Sequence, residues 1–326
     1  MADNLSIKPS WRHFWQTEEW AHVKSSKVWS VDKMSIGPEN TLFVYNRSAP
    51  VLGKVRYMPK VAQIQPKDVE DLTKFLKQKF RTGLCMTLEL DQELSTELHE
   101  AMLKNGWHQT EGVQYDETVL VDLTPSEEEI FMSFKTRSRW EIRSAERRGA
   151  VVERVEATDE NMQILSDMLK VTSTRGNFTI RGPEFLKKYW QHLSKNGMGY
   201  MYFVRHEEDV LSAGFVIRTG DRAYYKDGAS IRKKSDKFAS RLMHWQIIQD
   251  MKKEGVKVYD MCGVMNAKHT DARNKGILTF KTGFAPVVML QSAYTMPIGK
   301  YRYSLWQKIE PKYRKLYFKI KKDLWY

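Results

Sequence analysis

Lys135, Arg139, Arg143 and Arg147 recur every four residues through FKTRSRWEIRSAERRG, residues 134–149. On a helix that interval puts all four on one face, an arrangement able to bind a run of phosphates. At about 100° per residue, Phe131, Phe134, Ser138, Ile142 and Ala145 project within an arc of roughly 80°. The cations fill an adjacent arc of roughly 120° over about 18 Å of axis. Like charges at this spacing repel by a few tenths of a kcal/mol per pair, and Glu146 is the acid that lies among them. Such repulsion is expected where an anion arrives; the other reading is an ordinary solvated face.

The remaining candidates are single residues. Lys281 sits in LTFKTGF beside Phe280, and Arg181 precedes Phe185 by one helical turn. Tyr225 lies in YYKDGAS, with Tyr224 as its rival by strand alternation. Lys24 follows Trp20 by one turn, and Asp91 in TLELDQEL could take a proton from an attacking amine. From spacing alone each is unremarkable: a scattered lysine, a turn arginine, a core aromatic, an exposed helical lysine, a loop aspartate. Cys85 and Cys262 stand too far apart in sequence for a metal motif, and none of the histidines forms HExxH. No metal and no cofactor is therefore expected.

Elements able to position these residues follow from periodicity. TLFVYN (41–46), LGKVRYM (52–58), CMTLEL (85–90) and TVLVDL (118–123) read as strands. PKDVEDLTKFLKQKF (66–80) and STELHEAMLKNGW (95–107) read as helices. Thr124, Pro125 and Glu127 suggest a capping box that starts a helix at LTPSEEE. In the second half YMYFVRH, VLSAGFVIR and RAYYKDGAS look like consecutive antiparallel strands joined by short polar turns. A helix over 238–255 with a C-terminal glycine and a strand over 256–263 follow. The 326-residue length favours two domains, and the repeated order suggests two copies of one α+β unit. The expected boundaries are 1–145 with 298–326, and 146–297.

Several segments, taken in order, resemble the Fem family of aminoacyl-tRNA-dependent transferases. KTRSRWEIRSAERRG is similar to that family's K-T-R-x-N-I-R-K-A-E-K-x-G. FWQTEEWAHVK (14–24) resembles Q-S-x-x-W-x-x-x-K, and TSTRGNFTIRGPEFLKKYW (172–190) resembles T-x-x-R-x-x-F-x-x-R-x-x-x-Y/F. YYKDGAS, YDMCGV and GILTFKTGFAP (276–286) resemble Y-x-Y-G-A-S, Y-D-F-G-G and G-L-x-x-F-K-x-x-F-G. Glu141 stands where asparagine is usual, Phe185 where tyrosine is frequent, Asp227 enters the Y-x-Y-G motif, and Ala285 replaces a glycine. The family's long helical arm is absent.

The resemblance implies an α+β fold of two tandem N-acetyltransferase-like (GNAT) domains, with the C-terminal tail returning to the first. It implies transfer of Gly, Ala or Ser from aminoacyl-tRNA to the stem peptide of a peptidoglycan precursor, UDP-linked or lipid-linked. On this resemblance Lys281 meets the precursor's phosphates or a developing oxyanion. Lys24, Arg181, Phe185, Tyr225 and Phe280 would contact the precursor, and Asp91 would be a candidate base. From the charge stripe itself, Lys135, Arg139, Arg143 and Arg147 are expected to bind tRNA or membrane phosphates.

Fifty-three basic against 40 acidic residues give a net charge of +13, which favours a polyanionic partner. The N-terminal MADNLSIKPSWRHFW lacks the pattern of a signal peptide, and no apolar run approaches the ~20 residues that span a bilayer. A cytoplasmic protein is expected. PKYRKLYFKIKKDLWY (311–326) is basic and amphipathic, placing Tyr313, Leu316, Tyr317, Ile320 and Leu324 on one face. It either docks on the first domain or makes peripheral contact at the inner membrane face. Two rival functions share these features. An acetyl-CoA N-acyltransferase needs a glycine-rich pyrophosphate turn, where this chain has IRKKSDKFASR (231–241). A non-catalytic RNA- or membrane-binding protein needs only the basic surface.

Overall fold

The computed structural model describes residues 12–35, 41–231, 238–264, 272–289 and 292–321. The chain divides into two compact units, one formed by Arg12–Asp116 with Met289–Tyr326 and the other containing Glu117–Val288.

In the first unit the elements are α1 (Glu18–Lys24), β1 (Ser30–Ser35), β2 (Thr41–Ala49), β3 (Gly53–Val61), α2 (Val69–Lys79), β4 (Cys85–Leu90), α3 (Thr96–Lys104) and β5 (His108–Thr110). In the second they are β6 (Glu117–Asp122), α4 (Glu127–Ser133), α5 (Thr136–Arg147), β7 (Val151–Val155), α6 (Asp159–Gly176), α7 (Pro183–Lys195), β8 (Gly199–His206), β9 (Asp209–Thr219), β10 (Arg222–Ser230), α8 (Ala239–Lys253), β11 (Val258–Gly263), α9 (Ala272–Lys281) and β12 (Val287–Met289). The chain then returns to the first unit as β13 (Ala293–Pro297) and α10 (Lys300–Lys321). The sheets run β1-β2-β3-β4-β13-β5 and β12-β6-β11-β10-β9-β8-β7.

This division differs from the boundaries expected at 145/146 and 297/298. β6 pairs antiparallel with β11, and β13 pairs with β4 and β5, so ladder hydrogen bonds draw both strands across those points.

Each sheet contains a parallel pair, β3–β4 in one and β10–β11 in the other, and the two pairs end differently. β3 and β4 pair from Val55 and Cys85 to Met58 and Leu88, bulge, and rejoin at Val61 and Leu90. β10 and β11 pair only at Arg222–Val258, Ala223–Tyr259 and Tyr224–Asp260. β11 then bulges against β6 between Asp260 and Gly263, while β10 bulges against β9 between Tyr225 and Asp227. A notch opens between β10 and β11 beyond Tyr224.

The second unit's core explains why β9 reads as an unbroken apolar run. It is buried along most of its length, with α8 and α6 packed against it. In α8, Leu242, Met243, Ile247, Ile248 and Met251 recur at helical spacing and are buried. Asn177 ends α6 in the left-handed conformation, and Pro183 opens the first turn of α7.

Two expectations around residue 134 are corrected. The capping box is Ser126 with Glu129, because Thr124 turns its N–H and hydroxyl back onto Asp122 Oδ1 at 2.9 and 2.8 Å. The helix is also not continuous: Phe134 is extended, and α5 starts anew at Thr136. The Phe134 ring packs on Phe284 and Trp245 at 5.0 and 5.7 Å, and Lys135 N donates to Gly283 O at 3.0 Å. Those distant partners are stronger than one further helical turn.

Candidate active site

Several buried titratable groups of the second unit lie around the notch between β10 and β11. Asp260, the last residue of β11 paired with β10, is fully buried and ion-paired with the equally buried Arg222. It also accepts from Thr118 Oγ1 and from Cys262 N, the latter at 2.7 Å. That last bond folds Cys262 back into the left-handed region, φ +57°, an unfavourable conformation for a residue with a Cβ. As a result the carbonyls of Met261, Cys262 and Gly263 converge. Lys281 Nζ, at the end of α9, donates to all three, at 2.7, 3.1 and 2.7 Å. Burial lowers the Lys281 pKa, with Cys262 and Asp260 acting in the opposite direction.

Tyr225 is partly buried and Tyr224 fully so. The bulge turns Tyr225 over the backbone of Gly214 and Gly228, where an added Cβ at Gly228 would overlap its ring and hydroxyl. Its ring centroid lies 4.3 Å from that of His244, and Phe280 is 5.4 Å from His244. His244 Nδ1 is 2.7 Å from the Tyr259 hydroxyl. Burial holds His244 well below the usual imidazole range, with Lys281 and Arg241 adding to the effect. The histidine is therefore neutral at physiological pH. Behind Phe280, buried Arg241 pairs with Glu141 and donates to Ser138 Oγ at 2.8 Å and Phe280 O at 3.2 Å. The acid at position 141, unusual in the resemblance, thus serves Arg241.

On the α7 side, Arg181 lies 5.5 Å over the Phe185 ring, and Phe185 lies 5.7 Å from Tyr189. Lys226, the extra residue of the β10 bulge, places its ammonium 5.8 Å from Tyr189 and 3.6 Å from Asp227 Oδ1. Asp227 Oδ2 accepts from Trp190 Nε1 at 2.9 Å. Burial pushes the Asp227 carboxyl up to about 8, although the nearby ammonium works against that rise. A raised carboxyl holds its proton in the fold after the unfolded chain has released it. Stability should therefore fall as pH rises from about 4 towards 8. Thermal unfolding of Asp227→Asn should show a flatter pH profile, with the variant gaining on the order of 2 kcal/mol relative to wild type between pH 5 and 9. Parallel profiles would remove Asp227 as the source.

Lys24 and Asp91 belong to the other unit. Lys24 is buried rather than exposed, 4.8 Å from the Trp29 ring and 5.7 Å from Trp15. Asp91 is buried with Oδ1 3.8 Å from Lys60 Nζ, so proton transfer there first requires that pair to open. Lys60 in turn donates to Tyr115 O at 2.7 Å.

The four cations of residues 135–147 divide between tasks. Arg139 caps α4, donating to Phe134 O and, at 2.8 Å, to Met132 O. Arg143 lies 5.0 Å over Phe131, while Lys135 and Arg147 are exposed. Lys135 is the N-cap of α5 and the three arginines lie along that helix, so the α4–α5 break falls ahead of the stripe.

The structure thus brings Tyr225, Phe280 and Lys281 together at the notch and places Arg181 and Phe185 as a pair on the α7 side. Sequence reasoning did not nominate His244, Arg241 or Cys262. Glu141, a departure from the family motif, was a signal for its partner Arg241, whereas nothing in the motifs pointed to His244 or Cys262. Residues 232–237 of the segment weighed as a pyrophosphate loop lie outside the described residues.

Comparison with known proteins agrees with this architecture. Residues 132–273 match a family model described as an acetyltransferase (GNAT) domain. A lipid II:glycine glycyltransferase from Staphylococcus epidermidis is 19% identical over 391 aligned residues, covering 95% of this chain and 94% of that protein. The protein of the same name from Staphylococcus haemolyticus is 18% identical over 394, with the same coverage. The crystal structure of FemX superposes with a TM-score of 0.81 at 17% identity, covering 93% of this chain and 96% of that one. The fold is two tandem GNAT-like units.

Proposed function

We propose that this chain is a Fem-type transferase that moves an amino acid from aminoacyl-tRNA to the stem-peptide amine of a peptidoglycan precursor, a reading supported by its likeness to the lipid II:glycine glycyltransferases along nearly its whole length. Glycine, alanine and serine are the candidate amino acids, and the acceptor is UDP-linked or lipid-linked. The amine attacks the ester carbon, a C–N bond forms, the C–O bond to the ribose breaks, and the ribose oxygen takes a proton. No covalent enzyme intermediate is needed, so the protein's work is positioning and charge stabilisation.

The observation that carries the reading is the notch, where Tyr225, Phe280 and the Lys281 charge meet as the parallel strands part. In this reading the Lys281 charge, its donors held by the β11 carbonyls, acts at short range on the developing oxyanion or the precursor's phosphates, and Arg181 offers a bidentate fork to a diphosphate. Phe185 supplies stacking without a hydroxyl, and Lys24 is a further precursor contact. The proton acceptor is Asp91 after its Lys60 pair opens, or a group of the precursor itself. Lys135, Arg139, Arg143 and Arg147 bind tRNA phosphates, and for a lipid-linked acceptor the segment 311–326 makes peripheral membrane contact. Supporting this reading, the curated relatives covering the same length are named for glycine transfer to lipid II.

The test is transfer of radiolabel from glycyl-, alanyl- or seryl-tRNA to a muramyl pentapeptide. Product with at least one donor is expected; none with any donor would leave a binding protein. Neutralising Arg139, Arg143 and Arg147 together should reduce the salt slope of tRNA binding by about two. An unchanged slope would return these residues to helix capping and aromatic stacking.

A further inference from the structure

Helix α10 has two apolar faces, and the fold uses one. Trp306 is buried, and Tyr303, Tyr313 and Tyr317 pack with it against Ala49, Val55, Leu84 and Cys85. Arg47 lies 4.5 Å over the Tyr317 ring, and Arg302 donates to Gly83 O at 3.4 Å. The apolar face expected from 311–326 is therefore divided: Tyr313 and Tyr317 turn inward, while Leu316 and Ile320 do not. Leu324 lies outside the described residues.

Leu316 and Ile320 continue a line that begins a full helix earlier. At about 100° per residue, Tyr301, Leu305, Ile309, Leu316 and Ile320 fall within an arc of roughly 100° beside the docked face. They are 95%, 50%, 38%, 54% and 64% exposed. One exposed apolar side chain needs no explanation, but five aligned over roughly 28 Å do. Lys308, Lys312, Lys315 and Lys319 are all exposed and project along the outer flank of the same arc. Glu310, the acid of residues 300–321, turns towards the docked side and is partly buried.

An apolar line rimmed by lysines calls for a surface that is both oily and negative. A second copy meeting it across a twofold axis would set lysines against lysines. A nucleic acid would leave the aliphatic side chains unused.

We propose that the outer face of α10 lies on an anionic lipid bilayer, with Tyr301, Leu305, Ile309, Leu316 and Ile320 in the headgroup boundary and the four lysines on lipid phosphates. Among the described residues no helix is long and apolar enough to cross a membrane, so the contact is one of lying on the surface. The proposal deepens the membrane contact of the proposed function and rests on it for its purpose, while its test does not.

The full chain is floated with phosphatidylcholine vesicles and with vesicles also containing phosphatidylglycerol. Binding to the anionic vesicles, weakened by salt, is expected. Changing Leu305, Leu316 and Ile320 together to Asp should weaken it at least about tenfold, since three aliphatic side chains leave the headgroup boundary and three like charges to the lipid enter. Changing the four lysines to Gln should reduce binding to the level seen with phosphatidylcholine alone. All substituted side chains are exposed, so circular dichroism should be unchanged. Equal binding of wild type and the Asp variant, or equal binding to both vesicle types, would overturn the proposal. So would a wild-type dimer that the Asp variant dissociates and that ignores vesicles. Transfer to a water-soluble UDP-linked acceptor, assayed in parallel, should be untouched by the α10 variants, so loss of vesicle binding and failure of the transfer reading are told apart.

Discussion

Lys281→Ala should reduce amino-acid transfer by about 10²- to 10³-fold while leaving tRNA binding within a factor of a few. The expectation rests on what the ammonium does in the resting protein. Its three donors hold the carbonyls of Met261, Cys262 and Gly263, so it fixes the β11 lip of the notch and places a positive charge there. Alanine removes the charge and leaves three converging carbonyls facing one another. Arginine should rescue poorly, because a planar fork cannot point three donors into a space shaped for an ammonium. Single-turnover transfer with pre-bound tRNA separates the chemical step from binding. A variant with unimpaired transfer would remove Lys281 from the reaction.

Asp260→Ala should cost the second unit roughly 3–5 kcal/mol, because it removes the buried carboxylate that pairs with the fully buried Arg222 guanidinium. Urea unfolding followed by tryptophan fluorescence measures this, with the transition of residues 117–288 expected to move and that of the other unit expected to stay. Transfer should fall as well, since the Asp260 bond to Cys262 N creates the turn that Lys281 grips. Asp260→Asn keeps an acceptor for Thr118 and Cys262 and loses the charge, so it should fall between alanine and wild type. A cost below about 1 kcal/mol would show that Arg222 is solvated or paired elsewhere.

What the sequence disclosed followed from how local each signal was. Helix α2 and strands β8 to β10 were legible because their apolar spacing is written within a dozen residues. The break at Phe134 was not, since its cause is a set of rings on α8 and the 282–286 turn, more than 100 positions away. The same distance hid the Glu141–Arg241 pair, whose halves mean nothing until the fold joins them. Lys281, Phe280 and Tyr225 were legible through motif resemblance, since their local strings do not distinguish them from other lysines and aromatics. Asp227 was noticed only as an intruder in a motif. Its environment became visible once the β10 bulge placed it against Trp190 and Lys226.

Of the two parallel strand pairs, β3 and β4 close again at Val61 and Leu90, with Lys60 and Asp91 buried there, whereas β10 and β11 stay apart. Two like folds thus part their strands differently. On the proposed function, saturation with a non-hydrolysable charged tRNA should count one equivalent per polypeptide.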